Sequence, residues 1–143
     1  MTRNFFDTNV LLYMYDDDEP QKKEKAIDVF ERAAEDDLAI LSTQVLQEFY
    51  VNATRRLARP LSPERAAARV RDFARLPLVR VHEVLILAAI ERSRNMSFSF
   101  WDALIIEAAV SAGADLLLTE DLQHGQRIEG LTVVDPFVGT EQG

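Results

Sequence analysis

The sequence predicts an α/β domain with a mainly parallel sheet. Short apolar runs alternate with longer stretches of helical periodicity, and no glycine-rich linker, repeat or low-complexity segment interrupts them. One of those runs, Leu116-Leu117-Leu118, is apolar throughout, as strands in the middle of a parallel sheet are. With 143 residues, the chain is expected to form one domain over 1–143, long enough to bury a substantial core.

Asn4 to Asp7 reads as a first strand, and Val10-Leu11-Leu12 leads into a short helix that stops at the acidic run Asp16 to Glu19. Pro20 opens a second helix, with Ala26, Ile27, Phe30, Ala33 and Ala34 at core-facing spacing. Leu38 to Leu41 is the second strand, and Ser42 or Thr43 is placed to cap a helix whose apolar stripe is Val45, Leu46, Phe49, Ala53 and Leu57. Ser62-Pro63-Glu64 starts the next helix, which carries Ala66, Val70, Phe73 and Ala74 inward and its arginines outward, ending before Pro77. Leu78 to Val81 is a short third strand, and Val84 to Arg94 is helical. After the loop Asn95 to Ser99, the segment from Phe100 to Ala112 is apolar on nearly every side, so that helix is expected to be buried, with Phe100 and Trp101 as core anchors. Gly113 stops it, Leu116 to Leu118 follows as a strand, and Thr132 to Val134 is the last strand before a short polar tail after Pro136.

The composition, 48% hydrophobic and 8% aromatic, is that of an ordinary globular protein. With no cysteine there is neither a disulfide framework nor a thiolate metal site, which makes the cytoplasm the expected compartment. Asp7 comes too early for a signal peptide and no apolar run is long enough to cross a bilayer, so a soluble protein with no membrane association is expected. The net charge of −8 argues against a simple polycationic nucleic-acid binder, but the charge is unevenly placed. Between Arg55 and Arg80 eight arginines face only Glu64 and Asp72, a local balance of +6, which leaves −14 elsewhere. That segment, led by Arg55, Arg56 and Arg59, is either a solvated basic surface or a face for a polyanion or acidic partner.

Asp7, Glu48, Asp102 and Asp121 all fall at predicted junctions between strands and helices. In a right-handed βαβ layout, strand C-termini and helix N-termini share one edge of the sheet, which is where open α/β sheets bind ligands. Four anions brought together there repel one another unless protons or cations compensate them. Carboxylates without thiolates suit the hard ions Mg²⁺ or Mn²⁺, whose commonest task is to handle phosphate. Asn9 is placed to orient Asp7 or a bound water, and Thr8 or Thr119 to offer a hydroxyl. Taken singly, each acid has a plainer role: Asp102 as part of a capping box with Ser99, Glu48 as an exposed helix residue, Asp7 as a strand-end turn residue, and Asp121 as a helix cap. It is their joint placement that points to a site.

Four segments carry a resemblance to the PIN-domain nucleases, especially the VapC-type toxins of bacterial toxin–antitoxin pairs. They are Phe6-Asp7-Thr8-Asn9-Val10-Leu11-Leu12-Tyr13, Val45-Leu46-Gln47-Glu48-Phe49-Tyr50, Ser99-Phe100-Trp101-Asp102-Ala103-Leu104-Ile105 and Leu118-Thr119-Glu120-Asp121-Leu122. Their order and spacing cover nearly the whole chain. The resemblance implies a three-layer α/β/α PIN-like domain with a central, mainly parallel sheet of about five strands. It implies Mg²⁺- or Mn²⁺-dependent endoribonuclease activity, with Asp7, Glu48, Asp102 and Asp121 as catalytic and metal-binding residues. It also implies an RNA substrate, a small antitoxin partner and a homodimer. Glu120 stands where the family often has Asn or Arg, so Glu120 and Asp121 both remain candidates for the last ligand.

Other readings fit less well. An aspartyl-nucleophile phosphatase wants a second Asp two residues after the first, where this chain has Asn9, and a receiver-like module wants a late lysine, whereas none follows Lys25. A housekeeping RNA-processing nuclease and a catalytically silent PIN-like binding domain remain as alternatives. His124, three residues after Asp121, is either a substrate contact or a surface loop residue, and His82 has no evident partner. The run Asp16 to Glu19 lacks the spacing and glycine of a calcium loop and reads as a solvated turn.

Overall fold

A computed structural model describes residues 1–139. Its elements are β1 (Asn4–Phe6), α1 (Thr8–Tyr13), α2 (Pro20–Glu35), β2 (Ala39–Ser42), α3 (Thr43–Arg55), α4 (Pro63–Phe73), β3 (Leu78–Val79), α5 (Glu83–Asn95), α6 (Phe100–Ser111), β4 (Leu116–Leu118), β5 (Arg127–Ile128) and β6 (Leu131–Val134). Helices flank a single sheet of order β3-β2-β1-β4-β6-β5, parallel throughout except for β5. From β1 the chain builds outward through β2 to β3 and then returns to the other side of β1 with β4. The order therefore reverses between β1 and β4, and the crevice at the C-terminal ends of these two strands is the topological switch point.

Local chemistry sets the element ends. Side-chain oxygens of Ser42, Ser62 and Ser99 accept from the amides of Val45, Arg65 and Asp102 and so cap α3, α4 and α6. Gly113, at φ 69°, closes α6 with the paired bonds of a Schellman turn, Ala114 N to Ala109 O and Gly113 N to Val110 O. The end of α2 has the same geometry with Asp37, at φ 57°, in the left-handed position.

The core fills both faces of the central strands: Phe5, Phe6, Leu41, Leu117 and Val133 are all inaccessible. On one side a ladder of edge-to-face rings runs Phe6, Phe30, Phe73, Phe49, Tyr15, with centroid separations of 5.1 to 5.7 Å, and ties β1 to α2, α4 and α3. Helix α6 is buried along Ala103 to Ile106 and at Ala108 and Ala109, as its apolar sequence predicts, and it pairs with α5.

Several expectations need correction. The sheet has six strands rather than about five, because Arg127–Ile128 forms an antiparallel edge strand. It turns into β6 through Glu129 and Gly130, both at positive φ, the two-residue hairpin turn that matches strand twist. The tail after Pro136 is not simply polar, since Phe137 is completely buried with its ring 4.9 Å from Tyr13; residues 140–143 of that predicted tail lie outside the described residues. Ala74 is exposed at the end of α4 instead of facing inward. Trp101 is 61% exposed and is no core anchor, whereas Ala103 to Ile106 in the same helix are buried.

Phe49 sits in the ring ladder between Tyr15 and Phe73 with no exposed surface. Phe49→Ala is expected to lower unfolding stability by about 3–5 kcal/mol, the range for an aromatic truncation in a packed core. Urea denaturation reads this directly, and a loss below about 1 kcal/mol would show that the ladder is not a packing element.

Candidate functional site

The crevice between β1 and β4 is lined by polar side chains from four segments of the chain. Asp7 follows β1 directly: its amide joins the sheet through Leu118 O, and its extended backbone (φ −75°, ψ 159°) lets its Oδ1 accept from Thr8 N at 2.7 Å and so cap α1. The other oxygen, Oδ2, accepts from the Thr119 hydroxyl at 2.8 Å and from Asn9 Nδ2 at 3.3 Å. Asn9 Nδ2 also reaches Thr119 Oγ1 at 3.1 Å and Asp121 Oδ2 at 3.0 Å, while the Asp121 amide donates to the same threonine oxygen. Asp7 and Asp121 are thus held by one shared set of donors.

Glu48, in the second turn of α3, is fixed from two sides. Its Oε1 accepts from the buried Thr8 hydroxyl at 2.7 Å, and its Oε2 accepts from Gln44 Nε2 at 3.2 Å. Asp102 stands in the first turn of α6, its amide taken by the Ser99 cap. The plainer role is therefore real for its backbone, and its side chain lines the same cavity as the other three acids.

That cavity has a volume of about 440 Å³ and is walled by Asp7, Glu48, Asp102 and Asp121 together with Asn52, Arg56, Trp101 and others. The four predicted carboxylates therefore share one space. They do not form a tight cluster: among the described residues no three acidic or histidine groups stand close enough to grip a single ion, since threonine, asparagine and glutamine donors are interleaved between them.

Glu120 lines the cavity but is committed elsewhere. It accepts from the Tyr13 hydroxyl at 2.6 Å and from Lys22 Nζ at 3.1 Å. The lysine lies 5.0 Å and 5.6 Å from the Tyr13 and Phe137 ring centroids. Partial burial works against the Lys22 charge, but Glu120 outweighs it and raises its pKa, while burial and then Glu120 push the Tyr13 hydroxyl up to about 12. Of the predicted basic residues, Arg56 lines the cavity, and Arg55 and Arg59 are exposed without lining it. His124 is exposed, its Nδ1 accepting from the Asp135 amide at 3.0 Å, so the ring braces the loop after β4 against the end of β6.

Sequence reasoning assigned no site role to Gln44, Tyr13, Lys22 or Asp16, all near this space. Only Gln44 had a local signal, since it lies one helical turn before Glu48 on the same face. The Lys22 to Glu120 pair spans 98 positions and has none.

The electrostatics are those of anions short of countercharge. Burial pushes the Asp7 carboxyl from 3.8 up to about 7; hydrogen bonds from Thr119 and Thr8 oppose this, and the charges of Asp121 and Glu48 add to it. Asp121 is raised as well, first by partial burial and then by Glu120, Asp102 and Asp135, against the bond from Asn9. Oxygen donors only, two of them carboxylates held up by their surroundings, are the chemistry that a hard divalent cation such as Mg²⁺ or Mn²⁺ fits.

The family profile described as "PIN domain" matches residues 5–127, most of the chain. The chain belongs to the PIN-domain family. Among solved structures, this PIN domain is similar to a toxin–antitoxin complex from Klebsiella pneumoniae, with a TM-score of 0.66 and 18% identity over 93% of this chain and 97% of the other. It is also similar to DNA-bound VapBC from Salmonella typhimurium, with a TM-score of 0.63 and 23% identity over 95% and 99% of the two chains. A third likeness is to VapC20 of Mycobacterium tuberculosis, a Sarcin-Ricin loop cleaving toxin, with a TM-score of 0.59 and 19% identity over 80% and 86%. At these identities the likeness is one of fold. No curated protein sequence gives a significant match. Among the described residues, no helix of the PIN domain is long and apolar enough to cross a membrane.

The raised Asp7 pKa fixes a sign for stability. The folded PIN domain binds this proton more tightly than the unfolded chain does, so the Asp7 contribution is largest at low pH and is lost as pH rises from about 4 to about 7. In EDTA, urea midpoints are expected to fall between about pH 5 and pH 8, with Asp7 accounting for on the order of 2 kcal/mol, and Asp7→Asn should flatten that slope. An unchanged slope in the variant would remove Asp7 as its source.

Proposed function

We propose that this PIN domain, acting as one unit over residues 1–143, is a metal-dependent endoribonuclease and the toxin of a type II toxin–antitoxin pair. The observation that carries this reading is the convergence of Asp7, Glu48, Asp102 and Asp121, from four separate chain segments, on one cavity at the switch point of the sheet. Similarity to the toxin–antitoxin assemblies of Klebsiella and Salmonella supports the biological role, and similarity to a Sarcin-Ricin loop cleaving toxin supports RNA as substrate.

In this reading Asp7, Glu48, Asp102 and Asp121 hold Mg²⁺ or Mn²⁺, with Asp121 rather than the ion-paired Glu120 as the nearer ligand. An ion held there would supply charge neutralisation and Lewis acidity to a phosphodiester in the cavity. The chain's own part is orientation. Thr8 aims Glu48, and Asn9 and Thr119 aim Asp7 and Asp121. Arg56 at the cavity wall, followed by exposed Arg55 and Arg59, gives the phosphate backbone a cationic approach to an otherwise acidic mouth. Trp101, exposed beside Asp102, offers a face on which a base can stack.

A small antitoxin silences the site in the cytoplasm by occupying the groove, and a homodimer is the expected assembly. Helix α5 supports the latter by exposing Val84 and Leu87.

RNA cleavage by purified, partner-free protein is expected in Mn²⁺ or Mg²⁺, abolished by EDTA and reduced at least about 100-fold in Asp7→Asn and in Asp102→Asn. Metal-independent cleavage, or full activity in either folded variant, would refute the assignment. Replacing Arg55, Arg56 and Arg59 by Glu should weaken RNA binding and reduce its salt dependence by about 0.7 in logarithmic slope for each phosphate no longer neutralised. Trp101→Ala should weaken binding of single-stranded RNA by about 1–3 kcal/mol if it stacks on a base; fluorescence anisotropy at several salt concentrations measures both effects.

A further inference from the structure

We propose that Gln44 is a positioning residue for the acidic site: its side-chain amide fixes where the Glu48 carboxylate stands relative to α6 and hence to Asp102. This rests on the reading of the cavity as a metal-dependent site. Gln44 lies in the first turn of α3, one turn before Glu48, and is 4% exposed. Its Nε2 donates to Glu48 Oε2 at 3.2 Å and to the Trp101 carbonyl at 3.3 Å, the latter one residue from Asp102. One amide nitrogen thus bridges the two helices that carry Glu48 and Asp102.

The orientation of the amide follows from donor and acceptor chemistry. Turned by about 180°, it would set its oxygen against a carboxylate oxygen and a carbonyl oxygen, acceptors facing acceptors. With the nitrogen engaged, Oε1 is left buried and without a hydrogen-bond partner among the described residues, the single side-chain atom in that condition. Buried acceptors are ordinarily paired, and an apolar side chain of similar volume would avoid the mismatch. A packing role alone therefore does not account for glutamine here, whereas a need for two donors at this point does.

Glu48 is consequently held at both oxygens from different elements, by Thr8 of α1 and by Gln44 of its own helix braced on α6. Thr8 adjoins Asp7, so the two contacts reference Glu48 to Asp7 on one side and to Asp102 on the other. Groups that orient metal-binding carboxylates in this way typically govern affinity by roughly 10- to 100-fold.

The test uses the full chain with Mn²⁺ as probe. Calorimetric titration is carried out on wild type, Asp7→Asn, Gln44→Leu and Gln44→Met, alongside melting in EDTA; the second Gln44 variant serves if the first does not fold. Gln44→Leu is expected to weaken Mn²⁺ binding by about 10-fold or more, with the EDTA melting temperature unchanged or raised because the unpaired acceptor is gone. At saturating Mn²⁺, kcat for RNA should fall more than KM rises. Wild-type Mn²⁺ affinity in a folded Gln44 variant overturns the proposal, as does a fall in affinity matched by a loss of stability in EDTA. If wild type binds no Mn²⁺, or binds it equally well in Asp7→Asn, the metal reading of the cavity fails first and the positioning role falls with it.

Discussion

A buried carboxylate at the end of the first strand is the constraint around which this PIN domain is arranged. Asp7 is nearly inaccessible, yet it faces Asp121 and Glu48 and lies where β1 and β4 end side by side. An anion in that position needs donors, and each one used here also determines local structure. The Thr8 amide is taken up in starting α1, the Thr119 hydroxyl ties β4 to β1, and the Asn9 amide spans Asp7 and Asp121. The Thr119 oxygen donates once and accepts twice, from Asn9 and from the Asp121 amide, which uses the full capacity of a hydroxyl. Replacing it would disturb both carboxylates and the course of the chain after β4.

The distribution of countercharge follows the same logic. The lysine nearest the cavity, Lys22, is bound to Glu120 and packed over Tyr13 and Phe137, so its charge is directed away from Asp7 and Asp121. This explains how the chain accommodates an acidic pair at Glu120 and Asp121: one member is neutralised locally and the other faces the cavity. The arginines from Arg55 to Arg80 are exposed, and Arg56 among them reaches the cavity wall without ion pairing to the central acids. The site thus keeps an unmet demand for positive charge at its centre and a cationic approach at its edge, an arrangement that favours a cation inside and a polyanion outside.

Much of this was legible in the sequence because it depends on local rules and on topology. Serines 42, 62 and 99 cap the helices they precede, Gly113 ends the buried helix, and the parallel order brings the four acids to one edge. What escaped depends on contacts between distant segments or on very short signals. The strand Arg127–Ile128 has two residues and no readable alternation; only the Glu129-Gly130 turn between it and Leu131 marked a hairpin. Phe137 looked like part of a polar tail, and its burial requires Tyr13 from the other end of the chain. Trp101 has the composition of a core residue, but it faces outward from α6 while Ala103 to Ile106 of the same helix are buried. Gln44 was visible as a neighbour of Glu48 on one helix face, although its second contact, to Trp101, was not.

These features follow one pattern, in which the chain accepts local electrostatic and hydrogen-bonding mismatch where the four acids gather and compensates with dense packing elsewhere. Asp7 is held with its pKa raised, Asp121 likewise, and Gln44 retains an unpaired oxygen, all within one cavity. Away from it the ring ladder from Phe6 to Tyr15 shares the main apolar core with Ile105, Ile106, Ala108 and Ala109 of α6, while Ala103 and Leu104 form a second apolar cluster with Leu85 and Ala89 of α5. Residues selected only for stability would not concentrate buried polar mismatch at a single sheet edge, because each instance costs roughly 1–3 kcal/mol. A cation brought near these acids would offset the burial and mutual repulsion that raise Asp7 and Asp121. The mismatch is therefore better understood as preorganisation for a charged ligand than as an imperfection of the fold.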